Sequence, residues 1–314
     1  MVTGDAVTTA AIVAHEVGLD GAVCPPGRFP DGVSPETFAV FAGVLPEDKY
    51  ALVKAFQQSG HTVGMCGDGA NDAPALRQAQ MGIAVSTATD VAKSAAGIVL
   101  TEPGLSGIVA SVKEGRIRFQ RILTYTINSI IKKIAQVLFL VVGLLVTGEA
   151  ILTRMLMVIV MITGDFLAMS LTTDNVRPSP APNVWKIRNL TIAGVLHGIC
   201  LLAFCSTALV VGKFRMGLEI ETLRTLCVVA LVFGAQATIY AVRGRQSLWG
   251  PRPSLALVES SIGDILIISM LAAYGILMNP LPIGTVGGVF LAALAFGLVL
   301  NVVKIPIFRS LQVA

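Results

Sequence analysis

Charge is scarce in this sequence: Lys, Arg, Asp and Glu together make up 13% of its 314 residues, about half the share found in soluble globular chains. With a hydrophobic fraction of 54% and a mean hydropathy of +0.77, that scarcity excludes a wholly soluble protein and places most of the chain in lipid. Cysteine is sparse too. Cys24, Cys66, Cys200, Cys205 and Cys227 show no paired spacing, so neither a disulfide framework nor a cysteine metal site is expected, and the last three sit in apolar runs as small hydrophobes. The opening MVTGDAVTTA lacks a basic stretch leading into an apolar core, which excludes a signal or transit peptide and leaves the N-terminus expected in the cytosol. The net charge of +4 comes from Lys and Arg at the ends of apolar runs, where membrane topology accounts for them, and no nucleic-acid binding is expected.

The polar residues are unevenly spread. Asp, and many of the Lys, concentrate before about Arg121, and long apolar stretches follow. The expected architecture is therefore a soluble module over residues 1–115 joined to a membrane module over residues 116–314. Six stretches are long enough to cross a hydrocarbon layer of about 30 Å: roughly 123–147, 151–172, 190–211, 222–242, 255–278 and 283–303. The connections with Arg177, Lys186 and Arg188, with Arg243, Arg245 and Arg252, and the tail with Lys304 and Arg309 then all belong on the cytosolic side. Both ends of the module lie there as well.

Polar groups within the spans are costly and therefore informative. Lys132 and Lys133 stand in the first, Asp165 in the second, His197 in the third, Gln236 in the fourth, and Glu259 and Asp264 in the fifth. The lysines can snorkel if the helix continues as a stalk, and interhelical hydrogen bonds suit His197 and Gln236. Asp165 has apolar sequence on both sides, VIVMITG and FLAMSL, and is expected to be buried and functional. Desolvation there disfavours its charged form, which suits a proton carrier. Gly164 either weakens the helix locally and frees carbonyls toward a cation or, as a lone glycine in a membrane helix more often does, serves packing.

The first 115 residues alternate strand and helix with turns rich in Gly and Asp, a doubly wound α/β pattern. Val2 ends a strand, Thr3-Gly4-Asp5 is its exit turn, and Ala6 to Val17 is a helix whose N-terminus faces that turn, an arrangement that binds phosphate. His61 to Met65 reads as a strand, Cys66 to Asp72 as its glycine-rich exit loop, and Ala73 to Gln80 as a helix. Strand, helix and strand follow at Gly82 to Val85, Asp90 to Ala96 and Gly97 to Leu100. Asp68 and Asp72 on such a loop make a hard oxygen site suited to Mg²⁺. Lys49, in a helix opened by Pro46, can bring a point charge to the same strand ends. A lone GDG is usually a turn and a lone Lys a solvated face. Their ordered occurrence with TGD ahead of membrane spans is much more specific.

These residues carry a resemblance. TGDAVTTA, PEDK and GDGANDAPALRQAQMGIAV resemble the phosphorylation domain of P-type ATPases, members of the haloacid-dehalogenase superfamily, and the order of soluble segment, stalk and six helices is similar to that family's C-terminal half. The resemblance implies an α/β, partly doubly wound domain followed by an all-α bundle of six membrane helices. It implies ATP-driven cation transport through an aspartyl phosphate, with Mg²⁺ as cofactor and ATP as substrate of the intact pump. Thr3, Gly4 and Asp5 would line the phosphate site, Lys49 would offset phosphoryl charge, Asp68 would ligate Mg²⁺, and Asn71 and Asp72 would orient the site. MITGDFLAMSLTTDNVRPSPAPNVWKI further resembles proton pumps of the plasma membrane, which maps the proton-accepting carboxylate onto Asp165 with Lys132 and Lys133 as basic neighbours. This sequence has Gly164 where those pumps have Asn, and its lysines stand about one turn from their arginine.

No DKTG string occurs in the 314 residues, and covalent phosphoryl transfer needs that aspartate. A truncated chain, inactive alone, is expected, with the missing N-terminal half of the pump as its partner beside membrane lipid and the transported cation. The start at MVTGD, inside an expected strand, agrees with that. The alternative is a non-catalytic membrane subunit or regulator derived from such a pump. A dehalogenase-type phosphatase is disfavoured, because it requires the same absent nucleophile.

Overall fold

The computed structural model describes residues 1–24, 37–180, 182–245 and 250–311. It divides into two compact units, Met1–Val112 and Lys113–Ala314.

In the first unit every strand pairing is parallel. Strands β1 (Val23–Cys24) and β2 (Val40–Phe41) pair, and Val2 bridges to Phe41 on the other edge of β2. Strands β3 (Gly64–Gly67), β4 (Met81–Ala84) and β5 (Ile98–Val99) form a second sheet in the order 3-4-5. Helix α1 (Val7–Glu16) buries Ala10 and Ala14 against Val40 and Ala42. Helix α2 (Pro46–Gln58) begins with the signals that favour a helix start: Pro46 in the first turn, acidic Glu47 and Asp48 beside the positive end, and the Asp48 carboxylate accepting from the Leu45 amide at 3.0 Å. Helices α3 (Ala73–Gln78) and α4 (Asp90–Ala95) cover the second sheet through Leu76, Ala84, Ala88 and Ala92. Of this sheet's strands β4 is the largely buried one, while β3 and β5 stay partly exposed among the described residues. β3 starts three residues later than the pattern of His61 to Met65 implies, so Cys66 and Gly67 belong to the strand and the exit loop begins at Asp68.

The second unit is helical. Helix α5 (Ser106–Thr147) starts within the first unit and runs 42 residues, about 63 Å at the usual rise. After it come α6 (Arg154–Ser170), α7 (Ile187–Val210), α8 (Ile220–Arg243), α9 (Leu255–Tyr274) and α10 (Ile283–Ser310). These six are the helices, among the described residues, long and apolar enough to cross a membrane. The centre is α8, buried on nearly every face, with Cys227, Val228, Val229 and Ala230 fully enclosed by its neighbours. The others leave apolar faces outward, as lipid-facing helices do. Helix α7 meets α5 at Gly194 and Gly198. A Cβ at Gly194 would stand 2.5 Å from Cγ2 of Ile130, so the missing side chains are what allow the close approach. Helix α6 stays α-helical through Gly164, so of the two readings of this glycine local unwinding is not present.

One end of the bundle is tied by buried charge. Asp174, just past α6, accepts two hydrogen bonds from Arg243 at 2.5 and 2.8 Å and one from the Ser254 amide at 3.2 Å, while its carbonyl accepts from Arg121 at 2.8 Å. Arg245 donates to Thr124 at 2.9 Å and to Gln120. Burial lowers its guanidinium to about 10.

Candidate functional site

At the exit of β3 the chain turns through Asp68 and Gly69 into a short 3-10 turn, Ala70–Asp72, that leads into α3. The turn folds Asp72 back beneath the strand end, where one carboxylate oxygen accepts from the amides of Asp68 and Gly69, both at 3.3 Å. Lys49 Nζ donates to the other at 2.6 Å. Gly67 is a steric requirement of this arrangement, because a Cβ there would stand 2.7 Å from the Asp72 side chain. Asp72 is thus a buried anchor, 6% exposed, that fixes a lysine of which 21% remains accessible. A charge-assisted bond in so sheltered a place holds the ammonium in one position.

Asp68 differs. Its carboxylate is exposed and takes no hydrogen bond or ion pair from the described residues. Asn71 is also exposed. Mg²⁺ needs only one or two protein carboxylates, taking its remaining oxygens from water and substrate. An uncommitted carboxylate at a strand's carboxyl end, beside a fixed lysine, fits that ion. Cys66 lies next to both acids, and burial, then Asp68 and Asp72, push its thiol up. It stays protonated and is a poor nucleophile.

The Thr3-Gly4-Asp5 turn is a closed local unit. The Thr3 hydroxyl donates to the Asp5 carboxylate at 2.7 Å, and the Asp5 amide donates to Thr3 Oγ1 at 3.2 Å. Backbone bonds from Thr3 to Phe41, from Gly43 to Asp5 and from Val44 to Thr3 dock the turn on the end of β2. That segment runs straight into Leu45 and α2, so the turn and Lys49 flank one connection. Gly4, Asp5, Asp68 and Asn71 are exposed and Lys49 half-buried.

In the second unit a groove of about 470 Å³ opens between α5, α6 and α8, lined among others by Asn128, Lys132, Lys133, Gly164, Asp165 and Asp264. Lys132 donates to the Gly164 carbonyl at 3.2 Å, which brings it level with Asp165. Lys133 is exposed. Asp165 is not buried within this chain. It is exposed on the groove side of α6, because the apolar residues flanking it in sequence occupy other faces of the helix. The buried membrane carboxylate is Asp264, 6% exposed, which accepts from Gln236 at 2.6 Å. Its signal in the sequence was an acid in an apolar span, the same signal that Asp165 gave, and neither sequence context says which helix face packs inward. Gln236 thus makes an interhelical bond. His197 does not: its Nδ1 contacts its own helix at Ala193, 2.8 Å away, and its ring stacks on Phe308.

Residues 1–80 match the family of haloacid dehalogenase-like hydrolases. The first unit is a domain of that type with parallel strands, followed by six candidate membrane helices. The whole chain is similar to a protein of Methanocaldococcus jannaschii, MJ1226, described as a candidate cation-transporting ATPase, with 32% identity over 326 aligned residues that cover 100% of this chain. The match covers 40% of that relative, so the chain spans about two fifths of its length. A solved structure of the catalytic domain of the CPx-ATPase CopB-B, from work on its conformational changes upon nucleotide binding, is 24% identical over 35% of this chain and 36% of its own, at a TM-score of 0.28. Overlap at that level carries no argument.

Proposed function

We propose that these residues are the C-terminal part of a P-type cation-transporting ATPase and that they carry half of its phosphoryl site together with six of its membrane helices. The observation that carries this reading is the β3 exit, where Asp72 pins Lys49 and leaves Asp68 free, in a chain that goes on to six apolar helices. Lys49 offsets the charge of a phosphoryl group brought to the strand end, Asp72 keeps that ammonium in place, and exposed Asn71 stands on the same exit turn. Mg²⁺ held by Asp68 would supply a second positive charge on the phosphoryl oxygens. The aspartate that is phosphorylated lies outside these 314 residues, so turnover belongs to the polypeptide or assembly that contains it.

The transported ion is a cation, with the proton favoured by Asp165 and Lys132 sharing one groove. The chain crosses the cell membrane six times, with the soluble unit and the basic connections on the cytosolic side. In proteoliposomes holding the complete pump that includes these residues, radiolabelled ATP is expected to give an acid-stable phosphoenzyme and Mg²⁺-dependent proton uptake. Asp68→Asn should reduce phosphoenzyme by at least about tenfold, a loss in keeping with one charge-stabilising group. Normal phosphoenzyme in that variant removes Asp68 from the site. A second reading is a non-catalytic subunit, for which a partner pump's transport changes with this chain present and no phosphoenzyme forms on any polypeptide containing it.

A further inference from the structure

Buried polar atoms in folded proteins are almost always hydrogen-bonded, and in lipid an unpaired one is costlier still. Among the described residues five buried side-chain polar atoms have no partner, and four of them belong to Asn128, Gln236 and Asp264. These side chains are 1%, 4% and 6% exposed. Asn128 and Asp264 line the groove between α5, α6 and α8, while Gln236 lines a second groove of about 570 Å³ between α8, α9 and α10. The pair formed by Asp264 and Gln236 therefore stands between two openings. From Gln236 a polar track continues: its amide also reaches the Ser261 carbonyl at 3.4 Å, and Tyr240 donates to the Ser261 hydroxyl at 2.9 Å.

We infer that Asp264, paired with Gln236, is a proton-binding carboxylate of the membrane unit, reached from the α8–α9–α10 groove past Tyr240 and Ser261. The inference rests on the cation-transport reading and gives it a second acidic residue besides Asp165. The partner's chemistry favours a proton over a metal ion. A charged Asp264 accepts from the Gln236 amide nitrogen, and a protonated Asp264 donates its O–H to the Gln236 oxygen once the amide turns over, so the pair keeps a hydrogen bond in either state. The proton comes from water and returns to water, and no other bond changes.

Lys132 of α5 lies within electrostatic reach of Asp264 and Asp165, a charge that acts alike on a proton and on a monovalent metal ion. On the remaining faces, Arg243 and Arg252 line the α8–α9–α10 groove, and Arg243 is committed to Asp174. Lys133 of α5 and Glu259 of α9 are exposed, α8 presents neutral Gln236 and Tyr240, and the buried Lys304 of α10 is committed to the Ala241 carbonyl at 2.8 Å.

The test is infrared difference spectroscopy between acid and alkaline pH on the full chain in lipid nanodiscs. It needs no nucleotide, so its result is independent of whether the pump makes a phosphoenzyme. The expected result is a protonated-carboxyl stretch that shifts in deuterated water, disappears in Asp264→Asn and persists in Asp165→Asn. Gln236→Leu should shift the titration midpoint by at least about one pH unit, tenfold in proton affinity. If Asp264→Asn fails to fold, Asp264→Glu should keep the band at a displaced frequency. A band that survives in Asp264→Asn, no buried-carboxyl band in the unmodified chain, or a band removed by Na⁺ or K⁺ at constant pH overturns the proposal.

Discussion

The accessible face of Lys49 depends on a residue with no side chain. A methyl at Gly67 would meet the Asp72 carboxylate at 2.7 Å, so Gly67→Ala must displace Asp72 and release the lysine. Mg²⁺-dependent phosphoenzyme in the complete pump should fall at least about tenfold, close to the loss in Lys49→Ala, since both remove one fixed charge from the site. Equal activity in Gly67→Ala and the parent would show that Lys49 does not need its anchor. Cys66 gives a second check. Its raised thiol lies beside Asp68 and Asp72, so iodoacetamide at neutral pH should label it several-fold more slowly than a free cysteine, and the rate should climb with pH beyond the ordinary thiol range. Rapid labelling at pH 7 would contradict the geometry. The residue types of this site were legible in the sequence, because GDG, ND and an upstream lysine need few alternatives. From the residues alone Asp68 and Asp72 stood together as one oxygen site and only the resemblance gave them different roles; the anchoring of Lys49 depends on the 3-10 turn that folds Asp72 inward. The same limit misplaced Asp165, whose apolar neighbours in sequence are not its neighbours in space.

At the level of elements, two contacts set the bundle. The first is Asp174, which joins the exit of α6 to the end of α8, the start of α9 and the side of α5. Its pair with Arg243 is almost fully buried, at 2% and 6% side-chain exposure, and removing one partner of such a pair typically costs about 3–5 kcal/mol. Arg243→Ala should therefore lower the thermal midpoint of the chain in detergent by several degrees. The double variant Asp174→Ala/Arg243→Ala should lose less than the sum of the singles, and strict additivity would show that the pair does not couple. The second contact is the approach of α7 to α5 at Gly194 and Gly198. Gly194→Leu has no room against Ile130, and splayed helices should appear as loss of a cysteine cross-link engineered between α5 and α7. The six helices themselves were readable from hydropathy, and Arg243 was read as a surface topology charge. Its buried partner sits 69 residues away, a separation that no local pattern encodes.

For the whole molecule, the described residues of the soluble unit form small, separate cores: four buried residues around α1 and β2, four around Phe41, and four around α3 and β4. Its strands leave sheet edges open among the described residues. Expressed alone as residues 1–112, it should show no sharp thermal transition by near-ultraviolet circular dichroism, and a cooperative melt would show that it is an independent domain. The membrane unit raises a question of timing instead. Helix α8 is enclosed by its neighbours in the finished bundle, yet synthesis runs from the N-terminus, so α8 enters the bilayer before α9 and α10 exist. Until they arrive Gln236 faces lipid without Asp264, and the Ala241 carbonyl lacks Lys304. The nascent protein thus passes through an interval with an exposed amide in hydrocarbon, which makes α8 a natural mark of incompleteness for membrane quality control. Ribosome-stalled chains ending just before α9 should be drawn to intramembrane chaperones or proteases, and Gln236→Leu in the same stalled chain should prolong its lifetime.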